Sequence, residues 1–198
     1  MKKIDAIIGL SFGTGKTNQY LTKVVEKIAK ELPKIPRIIV QKEIAENLDE
    51  KLKKRSIVIS EHRQKGKYLD TIEVLKQARM FCEVEDRVII VAQKYHWDRA
   101  CKIAKILRLE PLKKEEMKWY NDLDVPFDWN SKQWWTKCLL FYLMWELVAR
   151  IFLWFRRNFI ARCEFWEMCP YFHEQNITCV SGDQNYCGYY REISKNNG

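Results

Sequence analysis

The chain has 198 residues, of which 47% are hydrophobic and 31% charged, and it carries a formal net charge of +9. That balance describes a globular chain long enough to bury a core, one domain of ordinary size with an appendage. The charge argues less for nucleic acid than it first suggests. Through Lys118 there are 27 Lys+Arg against 17 Asp+Glu, and beyond it 8 against 9. Most of the cations are mixed with acids in helical stretches such as "EKIAKELPK" and "ENLDEKLKKR", the pattern of a solvated face.

Taken in chain order, Ile4 to Leu10 reads as a first buried strand. Lys2 and Lys3 resemble the start of a leader peptide, but Asp5 and Gly9 break the apolar run too early, so a leader is not expected. The stretch "GLSFGTGKT" looks like a phosphate-gripping loop. That pattern needs a glycine at position 10, and Leu10 stands there, so an ordinary P-loop is not expected and an atypical P-loop-like NTPase is a minor alternative. What remains is a Gly-, Ser- and Thr-rich turn between strand and helix, a place where backbone donors can meet an anion.

A helix follows over Thr17 to Leu32, with apolar residues at Leu21, Val24, Val25, Ile28 and Leu32, and Pro33 and Pro36 close it. Arg37 to Gln41 is a second strand and Glu43 to Arg55 a charged second helix. Ser56 to Ser60 is a third strand, Tyr68 to Cys82 a third helix, Arg87 to Gln93 a fourth strand and His96 to Leu107 a fourth helix. Leu107 to Pro111 can add a short fifth strand. Apolar strands without polar alternation, separated by helices, predict an α/β fold: a Rossmann-like three-layer sandwich on a parallel sheet of four to five strands. The sheet domain is expected over 1–157, with an extension over 158–198.

Composition shifts after Lys118, where seven of the eight tryptophans lie. An apolar helix is expected over about 132–157. Its length would suit a membrane span, but Glu146 and Arg150 stand mid-segment, each costing roughly 2.5–3.5 kcal/mol on insertion scales. Tyr142, Glu146, Arg150 and Arg157 share one helical stripe, with Glu146 and Arg150 four apart for an ion pair. A helix packed on the sheet with one polar edge is the expectation, and peripheral membrane contact through the Trp-rich helix is the alternative. The seven cysteines are odd in number and include no close pair, which favours a reducing, cytoplasmic setting over a disulfide framework. In the Cys-rich tail, Cys163, Cys169, His173, Cys179 and Cys187 are separated by five, three, five and seven residues. No zinc ligand pattern has that spacing, so no metal site is expected.

Ligands of open parallel sheets bind outside the carboxyl ends of the strands. Here those ends deliver Gly9, Ser11, Gly13, Thr14 and Gly15, then Gln41 and Lys42, then Glu61, His62 and Arg63, then Gln93, Lys94, Tyr95 and His96, with Arg99 one turn on. Glycine amides, hydroxyls, imidazoles and cations in one crevice suit a small anionic ligand such as a phosphate or nucleotide. His96 and Glu61 are the candidates for proton transfer. Their structural alternatives are a helix cap for His96 and an ion pair between Glu61 and Arg99. Whether the chain is an enzyme stays open at this stage, as does its oligomeric state.

The segment "VIIVAQKYHWDRACKIAKIL" resembles the hallmark of the SanA/ElyC/YdcF-like family, a bacterial domain of unknown function. In that hallmark an apolar strand is followed by Tyr/Phe-His, two residues, and Arg-Ala, and His96, Arg99 and Ala100 match it. Glu61, Thr71 and Glu73 fall on an upstream Glu, loop, Thr-x-Glu pattern. Glu146, Ala149 and Arg150 match a late helix motif, with Trp145 where that motif begins with Arg. The resemblance covers roughly 4–156. It implies a Rossmann-like fold, a link to cell-envelope integrity, and a site including Thr71, Tyr95, His96 and Arg99. It also implies a nucleotide-type cofactor, S-adenosylmethionine in one branch.

Overall fold

The computed structural model describes residues 3–13, 15–60 and 70–160, with side chains to Trp154. Five parallel strands form one sheet in the order β3-β2-β1-β4-β5: β1 is Ala6–Gly9, β2 Arg37–Gln41, β3 Ser56–Ile59, β4 Arg87–Val91 and β5 Glu110–Pro111. Ile8 of β1 lies between Ile39 of β2 and Ile90 of β4. Every residue of β1 and β4 is buried, as an unalternating apolar strand requires when helices cover both faces. A fully buried aliphatic side chain contributes about 1.5–3 kcal/mol relative to an exposed one, so the isoleucines of β1, β2 and β4 carry much of the core.

Helix α1, Lys16–Glu31, buries Leu21, Val24, Val25 and Ile28, and Leu32 turns extended just before Pro33. The single charged helix expected over Glu43 to Arg55 is two short ones: α2, Lys42–Ala45, and α3, Glu50–Lys53. The break has a local cause. Asp49 accepts from Leu52 N at 2.9 Å as the N-cap of α3, and such short polar side chains compete with the helical ladder from within. Helix α4, Thr71–Arg79, starts with a capping box between Asp70 and Glu73. The Glu73 of the family-like pattern therefore has a structural role here. Helix α5, Lys94–Ile106, is capped by Gln93, whose side chain accepts from Tyr95 N at 2.7 Å. His96 is thus not the cap.

After β5 the chain makes 3₁₀ turns at Lys114–Glu116 and Tyr120–Leu123 and is pinned across α1. Trp119, almost fully buried, donates from Nε1 to Glu31 Oε2 at 3.0 Å, and Lys27 pairs with Asp122 at 2.8 Å. The return brings residues 126–136 over the β1–α1 turn, where Thr17 Oγ1 donates to Pro126 O at 2.9 Å. A third turn, Trp134–Thr136, leads into α6, Leu139–Ile160, which runs past the expected domain boundary at 157.

Helix α6 packs against α5 instead of the sheet, and its amphipathicity is inverted. Tyr142 and Glu146 are buried, whereas Leu140, Leu143, Met144, Leu147 and Ile151 stand exposed. Among the described residues no helix is long and apolar enough to cross a membrane, and none forms a cluster of metal-ligating side chains. Cys82, Cys101 and Cys138 are free thiols. Burial pushes the first two up to about 11 and about 12 respectively, which keeps them protonated and unreactive. The four remaining cysteines and His173, with the rest of the extension from 161, lie outside the described residues.

Candidate functional site

In the observed strand order, the chain winds outward from β1 to β3 and then crosses back to β4, so the topological switch point lies between β1 and β4. That is where a doubly wound sheet opens a crevice. A cavity of about 380 Å³ lies there, with Ser11, Phe12 and Gly13 from the end of β1, Thr71 and Ile72 from α4, and His96 and Arg99 from α5. Helix α6 and the turn before it supply the remaining wall, including Trp135, Tyr142, Trp145, Val148 and Phe152.

The polar floor is built on His96. Its Nδ1 lies 3.0 Å from Arg99 Nη2, and a guanidinium nitrogen can only donate, so Nδ1 is the acceptor. The ring proton therefore sits on Nε2, which is 2.9 Å from Thr71 Oγ1. Thr71 accepts that proton, and its own hydroxyl hydrogen is left for another acceptor. Burial first, then the Arg99 charge, lowers the His96 pKa to about 4. At neutral pH the ring is uncharged with both nitrogens engaged, which makes it a positioning group better than a general base.

Behind the floor stands Glu146. Arg99 Nε donates to Glu146 Oε2 at 2.9 Å, Tyr142 Oη donates to the same oxygen at 2.8 Å, and Arg150 Nε donates to Oε1 at 3.0 Å. Burial works against ionisation of this carboxyl, but His96, Arg99 and Tyr142 together outweigh it and hold it at about 2. Tyr142 moves the other way: burial and the neighbouring carboxylate raise it, so it stays a phenol donor. Two arginines against one carboxylate and a neutral imidazole leave this cluster with one positive charge in excess. Arg99 lines the cavity and Glu146 does not, so the cavity meets the cation first. At the rim Asp70 accepts from Glu73 N at 2.8 Å. Next to it the Thr71 and Ile72 amides, in the first turn of α4, have no intrahelical acceptor. These amides, the Thr71 hydroxyl and the Arg99 guanidinium are donors that belong to residues lining the cavity.

The predicted residues divide accordingly. Ser11, Gly13, Thr71, His96 and Arg99 come together at the cavity. Gly9 does not: it is the last residue of β1, and a Cβ there would lie 2.8 Å from Val40 Cγ1, so its smallness serves packing. Gly13 adopts φ +65, and a Cβ would lie 2.5 Å from Thr136 Oγ1 and 2.8 Å from Ser131 Oγ; the crossing segment 126–136 thus accounts for this glycine without a ligand. Gly15 precedes α1 beside Asp128, and Tyr95 faces away from the cavity, stacked on Phe127 with centroids 6.3 Å apart. Thr14 and Glu61 lie outside the described residues. Arg99 pairs with Glu146 at 2.9 Å, and the alternative pair with Glu61 lies outside the described residues.

Two amides of the Gly-rich turn are already used. Ser11 N donates to Gln41 Oε1 at 2.6 Å and Phe12 N to Asn18 Oδ1 at 2.8 Å. The buried Nε2 atoms of Gln41 and Gln93, on either side of the β1 exit, have no acceptor, an arrangement that costs about 1–3 kcal/mol per group when nothing fills it.

Sequence reasoning did not place Tyr142, Glu146 and Arg150 at this site. The available signal was that Glu146 and Arg150 are the only ionisable pair inside a long apolar run, which in a buried setting must face another charge. Comparison with protein-family models, with curated proteins and with solved structures returned no match to this chain.

Proposed function

We propose that this domain binds a small anionic ligand at the C-terminal ends of its strands. The observation that carries the reading is the convergence of Arg99, Thr71 and the α4 N-terminus on one end of a cavity at the sheet's switch point, with the balancing carboxylate set behind the cation. Helix N-termini and guanidinium groups favour anions there. A nucleotide or a nucleotide-like compound such as S-adenosylmethionine is the candidate cofactor, and membership of the SanA/ElyC/YdcF-like family with a part in cell-envelope biogenesis belongs to the same proposal. That membership rests on His96, Arg99 and Ala100 following β4.

The test is thermal unfolding of the purified protein against orthophosphate, nucleotides, S-adenosylmethionine and sugar phosphates. A ligand at a hundredfold over its Kd stabilises the fold by about 2.7 kcal/mol, a shift of roughly 5–11 °C for a chain of this size. Arg99→Gln abolishes that shift on this reading. A shift that survives Arg99→Gln, or none with any compound, defeats it.

A second reading has one specific observation in its favour, the exposed apolar face of α6 formed by Leu140, Leu143, Met144, Leu147 and Ile151. Contiguous exposed apolar surface of that kind marks interaction sites. On this reading the chain is an interaction module that lays α6 on a membrane surface or a partner protein. Co-sedimentation with liposomes, lost in Leu143→Asp, supports it, and recovery of the protein in the supernatant at every lipid composition removes the membrane form of it.

A further inference from the structure

We propose that the ligand of this cavity is an amphiphile, with one anionic head group at Arg99, Thr71 and the first turn of α4 and a hydrocarbon tail laid along α6. This rests on the anion-binding reading above and narrows it to a ligand class. The cavity is polarised. Its donors gather at the floor, where Arg99, His96 and Thr71 form one hydrogen-bonded chain. Away from that floor the wall is Ile72, Ile103, Val148, Ala149, Phe152 and Leu153, closed on one side by Trp135 and Trp145, whose rings stack with centroids 5.0 Å apart.

Among the described residues this wall offers few polar partners for a nucleotide's sugar hydroxyls and base edge. Ser11, Asp70, Gln133, Thr136 and Tyr142 are the other polar members of the described lining, and of these the Thr136 hydroxyl donates to Ser131 Oγ at 2.7 Å and the Tyr142 hydroxyl to Glu146 Oε2 at 2.8 Å. An alkyl chain needs none, and its burial there is favourable in proportion to area.

The size and the opening agree with that occupant. About 380 Å³ is within the usual range for small-molecule sites. Val148 and Phe152 line the cavity and are also 47% and 58% exposed, so the apolar wall continues outward onto α6. A tail longer than the cavity can therefore follow apolar surface on the described part of α6. Charge complementarity favours an anionic head at Arg99. Arg99 lines the cavity and Glu146 does not, and the Asp70 carboxylate that also lines it is engaged by Glu73 N as the cap of α4.

The experiment is isothermal titration of the full chain with orthophosphate, adenosine monophosphate, octyl glucoside, and butyl, octyl and dodecyl phosphates kept below their micellar concentrations. The expected result is weak orthophosphate binding and an affinity that rises roughly fourfold per buried methylene, levelling off once the wall is covered. Phe152→Ser and Val148→Ser, both at half-exposed positions, reduce the octyl-to-orthophosphate ratio at least tenfold. Arg99→Gln weakens every phosphate alike, and Thr71→Val does so more mildly should the arginine variant fail to fold.

Orthophosphate binding as tight as dodecyl phosphate, or adenosine monophosphate tighter than octyl phosphate, overturns the amphiphile and leaves the anion site standing. Octyl glucoside binding as tight as octyl phosphate overturns the proposed head-group selection. Failure of every phosphate to bind overturns both proposals together.

Discussion

The buried neutral His96 makes a prediction about stability against pH whose sign follows from its folded pKa. In the unfolded chain histidine titrates near 6.5; in the fold burial and Arg99 bring His96 down to about 4. Above pH 6.5 both states leave the ring uncharged and its contribution to stability is fully present. Between 6.5 and 4 the unfolded chain binds a proton that the folded one refuses, so stability falls as pH falls. Each such pH unit is worth about 1.4 kcal/mol, and the whole interval sums to roughly 3 kcal/mol, a sizeable share of a domain's usual 5–15 kcal/mol.

Urea unfolding followed by far-ultraviolet circular dichroism at pH 7.5, 6.5, 5.5 and 4.8 measures this directly. His96→Gln, which keeps a donor toward Thr71 and an acceptor toward Arg99, is the control. The wild type loses about 2 kcal/mol more than His96→Gln over that range. A wild-type profile that runs parallel to the variant's refutes the reasoning, because it means that the ring is protonated freely in the fold and is not enclosed between Thr71 and Arg99.

Glu146→Ala leaves Arg99 with its main counter-charge gone, and breaking a buried pair from one side costs about 3–5 kcal/mol; Arg150, partly exposed, relaxes into water, so about 3 kcal/mol is expected in urea unfolding. Arg99→Met combined with Glu146→Leu restores more than half of that, and additive losses in this double-mutant cycle show the pair to be uncoupled. Glu146 also predicts a second acid limb: its folded pKa near 2 lies below the ordinary carboxylate value, so its stabilisation persists as pH falls to about 4.5 and is lost only below it. Absence of that limb in Glu146→Gln checks the assignment. Gly13→Ala combines positive φ with contacts to Thr136 and Ser131 far inside van der Waals distance, and a loss of at least 1–2 kcal/mol is expected; a neutral result in thermal unfolding shows that the crossing segment 126–136 is not packed there. Lys16→Ala leaves phosphate affinity unchanged, because Lys16 opens α1 away from the cavity; loss of affinity in a phosphate titration returns the Gly-rich turn to the role of ligand loop.

The sheet was legible because parallel strands buried on both faces need continuous apolar runs, and "AIIG", "RIIV" and "RVIIV" have little else they can be. Strand order was not legible, because right-handed crossovers are compatible with more than one order of the same strands. The position of His96 and Arg99 at the crevice was legible, since they come directly after a strand. The break between α2 and α3 was not legible, because Asp49 reads equally as a solvated helix residue or as a cap until its neighbours are placed. The glycines were legible in position and not in purpose: Gly9 and Gly13 look like ligand-loop residues, and in the fold Val40, Thr136 and Ser131 fill the space beside them. Helix α6 reads in sequence as an apolar face with a polar edge, and such a pattern normally buries the apolar side. Tyr142 and Glu146 of its polar stripe are buried instead because Arg99 lies opposite Glu146 across a long sequence separation, a contact that no local pattern contains.

The central claim, that the ligand's charge sits at Arg99, Thr71 and the α4 N-terminus, is tested most directly by titrating ¹⁵N-labelled protein with orthophosphate and following amide and side-chain resonances. The account predicts saturable shifts at Thr71, Ile72, the His96 ring and the Arg99 guanidinium. Saturable shifts confined to Gly15, Lys16 and Thr17 at the start of α1, with the His96 and Arg99 signals unmoved, contradict it.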